Sequence, residues 1–133
     1  MRFMLDTNVC VDLIRTRDER ILRRMKRHAV DELCVSSVTL SELEYGAAKS
    51  GNPERNRLAL AEFMTPFAVV PYDDTVAPVY GRVRAALEKA GTPIGPLDTM
   101  IAAHALSLGV TVVTDNEKGF CRVARLKVQN WAK

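Results

Sequence analysis

Four acidic residues stand where an apolar run gives way to residues that start a helix. Asp6 follows Phe3-Met4-Leu5, Glu42 lies just after Ser36-Ser37-Val38-Thr39, Asp98 just after Pro96, and Asp115 directly after Val110-Thr111-Val112-Val113-Thr114. Each has an ordinary explanation by itself. Asp6 can cap a helix, Glu42 completes a Thr39-x-x-Glu42 capping box, and Asp98 can answer a helix dipole. Together they allow different chemistry, because strand ends and helix starts on one edge of a parallel sheet converge in space. Acids crowded into such a crevice repel one another unless a cation offsets their charge. Hard oxygen ligands select Mg²⁺ or Mn²⁺ over zinc, and the chain has no His or Cys set that would argue otherwise.

The elements that would position these acids follow from apolar spacing. An apolar run ends at Asp6, and residues 9, 13 and 14 then recur on one helical face, with Asp12 and Arg15 outside it. A second helix is expected over 18–29, carrying Arg20, Arg23, Arg24 and Arg27 outward and Ile21, Leu22 and Met25 inward. Strands are expected at 33–35, 68–70, 110–114 and 126–128, and helices at 40–49, 54–64 and 97–108. A longer helix begins at Asp73 or Asp74, with Val76, Val79, Tyr80, Val83 and Leu87 at core spacing. Strands alternating with helices, and no hairpin signal, predict a parallel sheet flanked by helices. His104 falls on the apolar stripe of the 97–108 helix and reads as a packed, hydrogen-bonded core residue.

Composition sets the outer bounds. With 133 residues, 47% of them hydrophobic and 26% charged, the chain reads as one globular domain. Cys10, Cys34 and Cys121 lack a C-x-x-C spacing, so neither a disulfide framework nor a zinc site is indicated. No apolar run is long enough for a bilayer, and the apolar start at Met1 is too brief for a signal peptide, so a cytoplasmic protein without a membrane partner is expected. A net charge of +3 permits nucleic acid as a partner without requiring it.

Three stretches then resemble one family in order and along essentially the whole chain. They are Met4-Leu5-Asp6-Thr7-Asn8, the run from Ser36 to Gly46 that holds Glu42, and Gly91-Thr92-Pro93-Ile94-Gly95-Pro96-Leu97-Asp98 continuing to Ala105. The sequence resembles PIN-domain ribonucleases, and among them the VapC toxins of bacterial toxin–antitoxin pairs, in their enterobacterial-type subgroup. The resemblance implies a single PIN domain over 1–133, an α/β sandwich with a central parallel sheet of 4–5 strands. It implies that Asp6, Glu42 and Asp98 bind Mg²⁺, with Mn²⁺ as a substitute, and that Thr7, Asn8 and Thr114 support them. It selects Glu42 over Glu44, which points about 200° away on the same helix. At the last acidic position the sequence departs from the family pattern: Gly119 stands where relatives have an acid, and either Asp115 or Asn116 can complete the site.

The same resemblance implies cleavage of structured RNA, with the anticodon stem-loop of initiator tRNA as substrate. It further implies a homodimer and a cognate VapB antitoxin covering the cleft, in a complex through which promoter DNA is bound. Arg20, Arg23, Arg24 and Arg27 are the candidate RNA-phosphate contacts, against a simpler reading as a solvated charged face. Other readings are a PIN nuclease acting on mRNA or rRNA, a phosphohydrolase with Asp6 as nucleophile, and an RNA-binding module without catalysis. The second lacks its usual partner acid, since position 8 is Asn8, and retention of all three acids argues against the third.

Overall fold

In the computed structural model, which describes residues 1–133, five parallel strands form one sheet in the order β3-β2-β1-β4-β5. The strands are β1 (Phe3–Leu5), β2 (Leu33–Ser36), β3 (Ala68–Val70), β4 (Thr111–Val113) and β5 (Val128–Gln129). The helices are α1 (Thr7–Arg15), α2 (Glu19–Met25), α3 (Ser37–Ala48), α4 (Pro53–Met64), α5 (Ala77–Lys89), α6 (Pro96–Leu108) and α7 (Glu117–Phe120). A 3₁₀ turn over Val30–Glu32 precedes β2. No helix is long and apolar enough to cross a membrane.

The alternation of side chains along each strand sorts the core into two layers. Phe3, Leu5, Leu33, Val35 and Val113 face one side and pack with Val9, Leu13, Ile21, Leu43, Leu60 and Trp131. Met4, Cys34 and Val112 face the other and pack with Val38, Leu87, Ile101, Ala102, Ala105 and Phe120. The result is the expected helix–sheet–helix sandwich. The strand order reverses between β1 and β4, so the ends of these two strands open the crevice in which α/β folds gather ligands. Asp6 and Thr114 lie there.

Several boundaries differ from the sequence reading, each for a local reason. α2 stops at Met25, short of residue 29, because the chain turns into the 3₁₀ segment that Glu32 caps at the Ala29 amide. α3 begins at Ser37, with the Ser36 hydroxyl accepting from the Val38 amide at 3.1 Å. Thr39 therefore lies inside the helix, and the expected Thr39-x-x-Glu42 capping box does not form. α5 starts at Ala77 because Asp73 instead closes a turn onto Thr75, and Pro78 sits in the first turn of the helix. β5 is displaced to Val128–Gln129, and α7 was not foreseen. Gly109 ends α6 with φ +71°, the left-handed conformation that favours glycine.

Ile101 is fully buried where α6 meets the sheet. Ile101→Ala should therefore lower unfolding stability by about 2–5 kcal/mol. Urea titration checks this, read as a lower midpoint at unchanged slope.

Candidate active site

Asp6 is the best-buried acid of the molecule, only 2% exposed at the end of β1. Its amide donates to the Val113 carbonyl at 3.0 Å, which ties the turn to β4. One carboxylate oxygen accepts from the Val9 amide at 2.9 Å, so the expected helix cap is real. The other accepts from the Thr114 hydroxyl at 2.5 Å. These bonds favour the charged form, yet burial outweighs them and, with Asp115 and Asp98 nearby, pushes the Asp6 pKa up to about 7. The same burial makes the neighbouring Cys10 thiol inert by raising its pKa far above the usual range.

Glu42 is half-buried on α3, where the Thr7 hydroxyl donates to its Oε1 at 2.7 Å. The Thr39 hydroxyl, fully buried, lies 3.5 Å from the Thr7 oxygen. Asp98 sits in the first turn of α6, and burial followed by the charge of Glu42 raises its pKa. Asp115 is exposed, and its field reaches both Asp6 and Asp12. Asp6, Asp98 and Glu42 are thus linked electrostatically in a chain around the sheet opening. None of Asp6, Glu42, Asp98 or Asp115 is paired with a lysine or arginine.

Of the expected supporting residues, Thr7 holds Glu42 and Thr114 holds Asp6, whereas Asn8 is exposed and its side chain makes no hydrogen bond. Glu44 turns away toward Arg57, 3.6 Å distant. The Asn116 side chain accepts from the Gly119 amide at 3.2 Å and caps α7. A Cβ at position 119 would meet the Asn116 amide nitrogen at 2.7 Å, so the cap occupies the space of a side chain there. Asp115 is left as the acid beside Asp6 with no bond of its own. Sequence reasoning missed the place of Thr39 beside Thr7, having read it as a cap.

None of Arg20, Arg23, Arg24 and Arg27 lines the groove that opens beside Glu42. Arg20 pairs with Asp18 at 2.9 Å, and the Arg24 guanidinium lies 5.8 Å above the Trp131 ring. The groove, of about 800 Å³, runs from Thr7 and Glu42 between α1, α3 and α4. Its floor includes Val11, Leu43 and Leu60, and its cations are Arg15 and Lys49.

A hard divalent cation suits this donor set, which is all carboxylate and hydroxyl oxygen and carries negative charge that no basic side chain offsets. As the side chains stand, Asp6 and Glu42 are each held by a threonine, and no three acids converge closely enough to ligate one ion.

The PIN domain model matches residues 3–126. This chain belongs to the PIN-domain family. The tRNA(fMet)-specific endonuclease VapC of Salmonella typhimurium is 43% identical to this PIN domain over 98% of each chain. A protein of the same name from Shigella flexneri is 42% identical over 99% of each. A crystal structure of DNA-bound VapBC from Salmonella typhimurium superposes on this PIN domain with a TM-score of 0.94, at 43% identity over 98% of each chain.

The raised pKa of Asp6 has a measurable consequence. Its folded value of about 7 lies above the unfolded 3.8, so the folded state keeps a proton that the unfolded state has already released. The stability this contributes is complete below the unfolded value and is lost as pH rises through 7, with a ceiling of about 4 kcal/mol. In EDTA, the thermal midpoint of wild type should fall between pH 5 and pH 8 more steeply than that of Asp6→Asn. Millimolar Mg²⁺ at pH 8 should restore the wild type and leave the variant unchanged. Scanning calorimetry of the two proteins decides it.

Proposed function

We propose that this PIN domain is a divalent-metal-dependent endoribonuclease, the toxin of a VapBC-type pair, and that its substrate is the anticodon stem-loop of initiator tRNA. The observation that carries the reading is the set of unpaired acids at the β1/β4 opening, in a chain that matches tRNA(fMet)-specific VapC relatives from end to end. Asp6 and Asp98 are the principal ligands for Mg²⁺, for which Mn²⁺ substitutes, and Glu42 completes the set. A bound cation supplies the charge that makes a water nucleophilic near neutral pH and steadies the departing oxygen.

The chain's own residues do the rest. Thr114 and the Val9 amide keep the Asp6 carboxylate aimed into the opening, so it meets a ligand without reorganising. Thr7 holds one oxygen of Glu42 and leaves the other to orient the attacking water and accept its proton. Asp115 serves as the fourth acid, since Asn116 is committed to capping α7. Water adds to phosphorus, the P–O3′ bond breaks, and the phosphate remains on the downstream fragment as a 5′-phosphate.

A VapB-type antitoxin is the cognate partner. The groove beside Glu42 offers its apolar segment a floor, and the unpaired acids offer a basic side chain a charge partner. The toxin is a homodimer, promoter DNA is bound through the antitoxin complex, and the α2 arginines serve RNA away from the groove.

Wild type should cut a transcript of initiator tRNA in the anticodon loop with Mg²⁺, and neither Asp6→Asn nor wild type in EDTA should do so. Cleavage that survives both changes, mapped by primer extension, would sink the metal mechanism. The two candidates for the fourth acid separate cleanly. Asp115→Asn should lower kcat without lowering the thermal midpoint, while Asn116→Ala should cost about 1 kcal/mol of stability through its lost cap and keep turnover at permissive temperature.

A further inference from the structure

Two buried polar side chains outside the acid cluster are bonded to each other across the protein. His104 on α6 is 1% exposed and Ser36 at the head of α3 is 0% exposed, and Nδ1 of the first lies 2.8 Å from Oγ of the second. The direction of this bond follows from its surroundings. The Pro71 backbone acts on the imidazole and, since proline has no N–H, offers it only a carbonyl, which favours an N–H on the ring nitrogen turned away from Ser36. Nδ1 faces Ser36, so Nε2 is the nitrogen that carries the proton. Burial lowers the ring's pKa against the opposing effects of Asp73 and Pro71, so the ring is neutral near pH 7. Neutral Nδ1 is then an acceptor, and the Ser36 hydroxyl donates to it while accepting from the Val38 amide.

The bond joins three elements at one point: the β2–α3 junction, the exit of β3 at Pro71, and the middle of α6. Tyr72 strengthens the joint, with its amide donating to Ser37 Oγ at 2.9 Å and its ring edge-on to His104 at 5.5 Å. α3 and α6 pack against each other. Ser36 meets His104, and six residues further along α3 stands Glu42, whose charge acts on Asp98, six residues earlier than His104 on α6. The two helices therefore pass in opposite directions, and the His104–Ser36 bond and the Glu42–Asp98 pair of charges lie about 9 Å apart along one seam at the helical rise. Midway along these stretches, Thr39 on α3 and Ile101 on α6 are both fully buried, and Ile101 packs with Val38 of α3.

We propose that His104 is a positioning residue: its bond to Ser36 sets the register of α3 against α6 and thereby the separation of Glu42 and Asp98. It touches neither RNA nor the cation. A slip of one end of a packed seam is passed to the other, because helices in contact move as rigid bodies. The inference rests on the proposed assignment of Glu42 and Asp98 as ligands.

The test measures Mn²⁺ binding by electron paramagnetic resonance, alongside kcat and KM for RNA, in wild type, His104→Leu, His104→Asn and His104→Gln. Asn carries an acceptor near the place of Nδ1, Leu fills the space without one, and Gln sets its polar atoms further out. His104→Leu should bind Mn²⁺ about tenfold more weakly, the size seen when a supporting partner of a ligand is lost. Its kcat at fixed Mn²⁺ should fall with KM for RNA unchanged, and His104→Asn should restore Mn²⁺ affinity to near wild type. Equal affinity of wild type and a folded His104→Leu overturns the proposal. If the Leu variant does not fold, Asn and Gln carry the comparison: weaker binding by Gln alone supports the proposal, and equal binding by the two overturns it. Absence of Mn²⁺ binding by wild type itself would overturn the metal reading and this proposal with it, which separates that failure from a failure of the seam.

Discussion

The burial of the Asp6 carboxylate without a basic partner is the constraint on which the rest of the structure turns. A charge taken from water to the end of a central strand is costly, and two hydrogen bonds from Thr114 and Val9 offset only part of that cost. A folded chain retains such a group only if a proton or a cation can sit with it. The surrounding acids raise the penalty for an empty site and increase the gain from a filled one. The same interaction that weakens the metal-free protein is the one that would favour a bound cation.

The fold makes this arrangement possible by reversing strand order between β1 and β4. Asp6 and Thr114 come from distant parts of the chain and meet because their strands are neighbours. Glu42 and Asp98 reach the same opening on helices that leave it in different directions, and a threonine at the start of α1 spans to the first of them. Hydroxyls thus hold two of the three principal acids. A neutral donor suits this task, since it orients a carboxylate without cancelling the charge that a metal must find.

Beside the acids, the α1–α3–α4 groove combines an apolar floor with two cations at its edge. On the proposed function, RNA and a protein partner would approach the same opening with opposite requirements. RNA brings phosphate toward a negative cleft and depends on cations around the rim. An antitoxin can offer apolar side chains to the floor and positive charge to the acids. One surface can therefore be shut by a partner that never resembles the substrate.

Much of this was legible in the residues. The parallel sheet and its helices followed from apolar runs, glycine and proline breaks, and the absence of hairpin turns; Ala68–Val70 came out to the residue. Asp6, Glu42 and Asp98 could be picked out because strand ends and helix starts are marked locally; helical geometry said only that Glu42 and Glu44 cannot face one ion, and the family resemblance selected Glu42. What the sequence could not convey was which local bond a polar residue would choose. Thr39 and Glu42 have the spacing of a capping box, yet Ser36 takes the cap and frees Glu42 for Thr7. Asp115 and Asn116 are adjacent polar residues, and only the structure shows that Asn116 caps α7 while the Asp115 carboxylate makes no bond. His104 read simply as core, though its partner Ser36 lies 68 residues away. Periodicity and turn chemistry are properties of neighbours along the chain and so are written in the sequence. The pairing of buried hydroxyls, imidazole and carboxylates depends on neighbours across space, and only the packed sheet and its helices decide it.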